Sequence, residues 1–462
     1  MPTARVVDLL PQPHRLLLSE VIGSFSYALD MAEGLTPGHS LRCCWLGSKM
    51  GQLLALEAED LWDLYFVLLL KDIGGSSISS KLTLLFECDE KIIKSKLKVL
   101  DTNNIVDLLK FIFSNTSIRS NFLTRTAKLL PLILNGKYYL NELFRTRSER
   151  GADLVIQLGF NDNVADAIHC LNEHWDGNGQ ADGIKDHVIP VSSQIALITE
   201  VFDVYFQQNG IDCALDEIKK RSGKWFSPEL VTILISLLKN NHNSTTWQSF
   251  TSESNLKQQV YSLQSVTTNL SIDDERLDDI ATAFAQIVDS KSPYTNGHST
   301  RVALYTDAIA NELGLSVGRR RWLYRGALLH DIGNMGLSNL LLDKQSELSL
   351  SEKKEVELHS ANTFKLLHHL QSFKELSKVA SAHHERLDGK GYPKAMTESK
   401  ITLETRIITV ANIFDNLMIG NGCIESLSLV KVLIIMEKQC DTILDRDCFN
   451  AFKKRIPSLL QN

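Results

Sequence analysis

His330-Asp331-Ile332-Gly333 is the stretch from which this chain is best read, taken with His298 before it and His359, His383 and His384 after it. An adjacent His-Asp pair offers metals one imidazole nitrogen and two carboxylate oxygens, so the carboxylate can bridge two ions while the ring holds one. Each of the other histidines lies in its own segment of helical apolar period, which suits separate helices converging on one point. Seven of the 13 histidines fall between 298 and 384. A lone histidine is ordinarily a surface or satisfied core residue. A set that ends in His383-His384-Glu385 and runs into the turn Asp388-Gly389-Lys390-Gly391-Tyr392-Pro393 is not an accident of composition.

Five segments carry a resemblance. They are Tyr294-Thr295-Asn296-Gly297-His298-Ser299-Thr300-Arg301, Leu329-His330-Asp331-Ile332-Gly333, His359, the HHE and GYP stretch, and Arg406-Ile407-Ile408-Thr409-Val410-Ala411-Asn412-Ile413-Phe414-Asp415. In order and spacing, over residues 277–420, they resemble the HD-GYP phosphodiesterases of bacterial signalling, which open cyclic dinucleotides such as cyclic di-GMP. The resemblance implies a dinuclear site with His330 and Asp331 at its catalytic centre. One metal would take His298, His330, Asp331 and Asn412, and the second would share Asp331 with His359 and His383 or His384. The family usually has Asp where Asn412 stands and Lys where Asn334 stands, and its trinuclear members carry Glu where Tyr294 stands, so two ions are expected. Arg301, Asn334, Asp388, Lys390, Gly391, Tyr392 and Pro393 are the expected substrate contacts. His368-His369 lies outside the motif and reads as a surface or structural pair.

A phosphodiester hydrolyses slowly because water is a poor nucleophile and the transition state gathers negative charge; two cations answer both problems. Neutral imidazoles with one bridging carboxylate suit iron or manganese, with nickel, cobalt or magnesium as further candidates.

At 462 residues the chain has room for about two to four domains. Its 44% hydrophobic and 23% charged residues are those of a soluble globular protein. A net charge of −6 argues against binding polymeric nucleic acid, which needs clustered excess cations, and leaves a small anion held by metals. The start, Met1-Pro2-Thr3-Ala4-Arg5-Val6-Val7-Asp8, lacks the pattern of a signal peptide, and no apolar run is long enough to span a bilayer, so a cytoplasmic protein without membrane contact is expected. Eight scattered cysteines, none in a CxxC pair, read as reduced and mostly buried.

The chain also repeats itself. Thr36-Pro37-Gly38-His39-Ser40-Leu41-Arg42 matches the stretch around His298 at an offset of 259, and Leu70-Lys71-Asp72-Ile73-Gly74 matches Leu329-His330-Asp331-Ile332-Gly333 at the same offset. Further on, Asp176 matches Asp388, and Phe202-Asp203 matches Phe414-Asp415, at an offset of 212, so the first copy carries an insertion of 47 residues. In that copy His330 becomes Lys71, His359 becomes Arg147, His383 becomes Leu171 and His384 becomes Asn172. Charged Lys and Arg do not ligate cations, so this copy should hold no catalytic metal; it is expected to regulate, shape the substrate or dimerise, leaving a homodimer open. Lys71 and Arg147 could hold an anion where metals would sit.

The inserted stretch, Ser76 to about Glu142, has helical period, and its lysine cluster from Lys91 to Lys98 reads as a solvated face. Polar Asn240–Thr246 marks a boundary, Ser227-Pro228-Glu229 a helix start, and residues 252–290 a connecting helix. The expected organisation is all-α: a degenerate HD-type bundle over 1–240 with its insertion at 76–142, a helical linker over 241–275, and a catalytic HD-GYP bundle over 276–462.

This tandem arrangement is similar to the V-cGAP-type phosphodiesterases that linearise 3′,3′-cyclic GMP-AMP to 5′-pApG. Cyclic di-GMP hydrolysis is the alternative substrate reading. A non-catalytic cyclic-dinucleotide sensor, signalled by Asn334 and Asn412, is the rival class, and another HD-type phosphohydrolase a further one.

Overall fold

The structure is a computed structural model in which residues 16–117, 121–180, 182–241, 253–264, 271–420 and 426–459 are described. Met1–Asp8 and the polar run from His242 to Thr246 lie outside them. Among the described residues every extended element is a helix, and pairing of the β type is limited to isolated bridges, Ser222–Phe226 and Cys440–Leu444 among them. No helix among them is long and apolar enough to cross a membrane. Of the seven described cysteines, all free, Cys43, Cys44, Cys440 and Cys448 are buried.

The chain forms two compact units. The first holds residues 17–264 and takes in 338–340; the second holds 271–337 and 341–459. In the first unit α1 (Leu18–Ala32), α2 (His39–Leu53) and α3 (Ala58–Leu70) precede the insertion, which folds as α4 (Ser79–Phe86), α5 (Glu90–Leu97), α6 (Ile105–Asn115) and the start of the long α7 (Phe122–Gln157). Asp89 and Asn104 cap α5 and α6 by accepting backbone N–H groups at their first turns. The inserted helices bury an apolar cluster that includes Leu82, Phe86, Ile93, Phe111 and Leu132, which is why they fold rather than trail as a loop. The unit closes with α8 (Asp162–His169), α9 (Val191–Asn209), α10 (Ile211–Lys220), α11 (Pro228–Asn241) and α12 (Glu253–Ser262). The Ser227-Pro228 start falls where its sequence puts it.

The connecting helix expected over 252–290 is instead two helices. Glu253–Ser262 packs in the first unit, where the Tyr261 hydroxyl donates to the Glu20 carbonyl at 3.3 Å. The second unit opens with α13 (Asp274–Asp289), started by Asp273, whose extended backbone leaves the helical path and whose carboxylate accepts the Arg276 N–H. There follow α14 (His298–Glu312), α15 (Val317–Leu328), α16 (Leu350–His368), α17 (Lys374–Ala380), α18 (Leu403–Ile419), α19 (Leu429–Gln439) and α20 (Arg446–Leu459).

Candidate metal centre

Three helix ends and one helix middle deliver the histidines and Asp331. Gly297 adopts a left-handed conformation (φ 70°) that lets the chain turn directly into α14 with His298 as its first residue. His330 and Asp331 follow α15, His383 and His384 follow α17, and His359 lies within α16. Three of the rings are aimed by their own backbone: Nδ1 of His330, His359 and His383 donates to the carbonyl three residues earlier, Ala327 (2.7 Å), Val356 (2.6 Å) and Ala380 (2.6 Å). A carbonyl can only accept, so the proton is on Nδ1 and the Nε2 lone pair is free. His298 is aimed by a distant partner, Asp415, at 2.7 Å from its Nδ1.

All four Nε2 atoms turn to Asp331, and its two oxygens divide them. Oδ2 faces His298 (3.8 Å) and His330 (3.6 Å), while Oδ1 faces His359 (3.6 Å) and His383 (3.4 Å). The Nε2 atoms of His359 and His383 stand 3.4 Å apart with both protons on the far nitrogens. His330 Nε2 and Asp331 Oδ1 are buried with no hydrogen-bond partner. Two lone pairs face to face, and buried acceptors left unpaired, are arrangements that a cation between them satisfies. The donors gather as two triads, His298-His330-Asp331 and His359-His383-His384, the ligand atoms of each within 4.8 Å of one another. The residues therefore fit a dinuclear centre.

Protonation agrees with ligation. Burial, reinforced by the neighbouring His383 and His298, pulls His330 down to about 3, and burial likewise lowers His359 and His384. Burial would raise Asp331, but His330, His383 and His359 hold it well below the usual carboxylate range. His330, His359 and His384 are thus held neutral and Asp331 charged, the states in which each binds a metal; burial would lower His298 as well, but Asp415 and Asp331 raise it.

The turn after His384 is pressed against it. A Cβ on Gly391 would stand 2.5 Å from the His384 carbonyl and the backbone of Glu385 and Arg386, so only glycine fits. Tyr392 then stacks on His384 with ring centroids 4.6 Å apart, inclined by 22°. Buried Glu385 pins the far side of the turn, accepting the Lys394 and Met396 N–H groups at 2.7 and 2.8 Å. Asp388 accepts from Arg386 and from the Lys390 N–H, while Lys390 and Pro393 are exposed. Asn334 is buried in the turn after Asp331, and buried Asn412 accepts the Asn416 amide at 2.9 Å.

Arg301, expected to meet phosphate, is committed elsewhere. Its Nε and Nη2 grip Asp415 at 2.7 and 3.0 Å, and Nη1 donates to the Asn296 carbonyl. It holds the carboxylate that holds His298. Asp415 and Glu385 stand within the quoted motifs yet were not singled out as site residues; their signal was burial, which spacing alone does not give. His368 stacks on Phe364 and bonds to Ser377, a packing role as expected.

In the first unit the same place is filled differently. His39, Asp203 and Arg42 repeat the His298-Asp415-Arg301 arrangement, with Asp203 2.7 Å from both His39 Nδ1 and Arg42 Nε. Where the other ligands would be, Lys98 lies 2.5 Å from both Asp72 and Glu200, Arg147 lies 2.6 Å from Asp72, Lys71 bonds to Asp72, and Lys94 lies 3.1 Å from Glu33. The expectation of a solvated lysine face is thus overturned for Lys94 and Lys98, which are 3% and 5% exposed. The anion site expected at Lys71 and Arg147 is likewise overturned, because Asp72, Glu33 and Glu200 already neutralise them. Burial would raise Glu200, but Lys98 and Lys71 take it down to about 2; against the same burial, Lys71, Lys98 and Arg147 lower Asp72, and Lys94, Arg147 and Lys98 lower Glu33.

Fold and donor set together define a metal-binding α-helical hydrolase centre, and the chain belongs to the HD domain family, whose pattern matches residues 127–230 and 282–448. Among its relatives is the 3′3′-cGAMP-specific phosphodiesterase 3 of Vibrio cholerae, 43% identical over 95% of this chain and 94% of that protein. A solved structure of the cyclic GMP-AMP specific phosphodiesterase V-cGAP3 of V. cholerae covers 96% of this chain and 98% of its own, with a TM-score of 0.66 and 39% identity. The cyclic di-GMP phosphodiesterase response regulator RpfG of Xanthomonas campestris is 29% identical over 42% of this chain and 53% of that protein.

Proposed function

We propose that the second unit hydrolyses 3′,3′-cyclic GMP-AMP to the linear dinucleotide 5′-pApG. The observation that carries this is the convergence of four Nε2 atoms on the two oxygens of Asp331, in a chain whose full-length relative is named for that substrate. His298, His330, Asp331 and Asn412 would hold one divalent ion, and Asp331, His359, His383 and His384 the other, with iron or manganese best matched to such a set. When bound, the pair of ions supplies an activated water and positive charge beside the phosphoryl oxygens.

The chain's own residues do the rest. Asp331 sets the spacing of the two triads through its divided oxygens, and Asp415 with Arg301 fixes the His298 ring. Tyr392 closes one wall against His384, and Lys390, at the exposed crest of its turn, is free to meet a phosphate. Asn334, Asp388, Gly391 and Pro393 complete the rim. The first unit is a metal-free partner domain, and the whole acts in the cytoplasm.

The test is turnover of cyclic GMP-AMP, cyclic di-GMP and cyclic di-AMP by manganese-loaded protein, with Asp331→Ala alongside. Linear product from the wild type alone, fastest from cyclic GMP-AMP, is expected. Ligand binding without product from any of the three would mean a sensor.

A further inference from the structure

The first unit contains a cleft of about 510 Å³, formed where the inserted helices α5 and α6 meet α9 and α10. That volume is within the usual range for a small-molecule site. Five cations line it: Lys96, Lys110, Lys220, Arg221 and Lys224. Asp101, Asp107 and Glu217 line it as well, so the lining carries a net excess of positive charge with carboxylates interspersed.

The floor is a built stack. The Arg221 guanidinium lies over Trp225 at 4.1 Å, and Trp225 in turn stacks on His174 at 4.1 Å. Arg221 is fixed by the Val99 carbonyl and the Tyr205 hydroxyl, both at 2.9 Å, and by Glu217 at 3.4 Å, yet its Nη1 is buried without a partner. Buried donors are nearly always satisfied, so an unpaired guanidinium nitrogen in a cationic cleft points to an acceptor. Lys224 meets no carboxylate among the described residues, and Lys96 bonds only to the neutral Asn115.

The turn itself does not need these residues. The second unit has the same turn, its Cys440–Leu444 bridge matching Ser222–Phe226, with Gln439, Thr442 and Ile443 where the first has Arg221, Lys224 and Trp225. Arg221, Lys224 and the indole are peculiar to the copy that has the insertion wall, while Lys220 has a counterpart in Lys438.

We propose that this cleft binds a nucleotide bearing a terminal phosphate. The lysines and Arg221 take the phosphates, and the interspersed carboxylates accept from base amino or ribose hydroxyl groups, which an inorganic anion would not offer. The site is separate from the histidine centre and does not rest on the hydrolytic reading.

The experiment is calorimetric titration of the full chain in EDTA with GTP, ATP and inorganic pyrophosphate, repeated on Lys220→Glu/Lys224→Glu and on Asp331→Ala. Both lysines are exposed, so the double variant should fold, which its melting temperature checks. One nucleotide per chain is expected, bound at least about tenfold more weakly by the charge-reversed variant and unchanged by Asp331→Ala. The proposal is overturned if the wild type binds no nucleotide, if charge reversal leaves the affinity unchanged, if Asp331→Ala abolishes binding, or if pyrophosphate binds as tightly as the nucleotides.

Discussion

Gly333 faces the carbonyl of His359 so closely that a Cβ on it would stand 1.9 Å from the oxygen. Gly74 faces the Arg147 carbonyl in the same way, at 2.1 Å. In the second unit this contact sets the turn carrying Asp331 against the helix carrying His359, and the Thr363 hydroxyl locks it by accepting the Gly333 N–H at 3.0 Å and donating to the His330 carbonyl at 2.9 Å.

Gly333→Ala should therefore separate the two triads. The expected result is loss of bound metal and a fall in turnover of about a hundredfold, since a displacement near 1 Å at a catalytic centre costs that much. Metal analysis of the purified variant beside its activity checks this. Full metal content would show that the helix accommodates the methyl group elsewhere.

Asp415→Asn should leave the fold in place and weaken the His298 ligand. Loss of a carboxylate behind a metal-binding histidine lowers metal affinity by about 10- to 100-fold. Competition with a graded chelator measures it. The matching Asp203→Asn change should lower the melting temperature without altering metal stoichiometry.

Acid should unfold the first unit through its buried ion pairs. Glu200 titrates near 4.5 when unfolded and at about 2 when folded, so its contribution is complete above the unfolded value and is lost as pH falls through the window between them. Asp72 and Glu33, also lowered, add in the same direction. Chemical denaturation followed by Trp fluorescence from pH 7 to pH 2 should show stability dropping below about pH 4.5; constancy down to pH 3 would contradict it.

Lys98→Ala removes one of the cations that neutralise Asp72, Glu33 and Glu200. Breaking a buried pair on one side costs about 3–5 kcal/mol. A denaturation curve should show that loss, while metal bound by the second unit stays constant.

Tyr392→Phe keeps the stack on His384 and Tyr392→Ala removes it. Steady-state kinetics should give near wild-type turnover for the first and a drop of roughly tenfold for the second, the size of one aromatic pair. Equal defects would assign the role to the hydroxyl instead.

Much of this was legible in the residue order. The His-Asp pair, the HHE stretch and the two offsets placed every histidine of the centre and found Lys71 and Arg147 at its counterpart positions in the first copy, because ligand chemistry depends on residue type. Three things were not. Lys94 and Lys98 read as solvated because a lysine looks buried only beside acids that lie far off in sequence, at Glu33, Asp72 and Glu200. Arg301 looked free for phosphate because its partner, Asp415, is 114 positions away. The break before Asp274 was hidden because the apolar recurrence continues on both sides of one capping aspartate.

The two ways of aiming an imidazole bear on how a ligand can be lost. His330, His359 and His383 are each steered by the turn of chain that bears them, so replacing one breaks no long-range tie. His298 is tied through Asp415 to Arg301 and to a helix more than a hundred residues away. The first unit has kept the tied histidine as His39, with both of its partners, and has Lys71, Arg147 and Leu171 in place of the three that were steered locally. Of the four histidine positions, the one that doubles as a structural knot is the one that both units share.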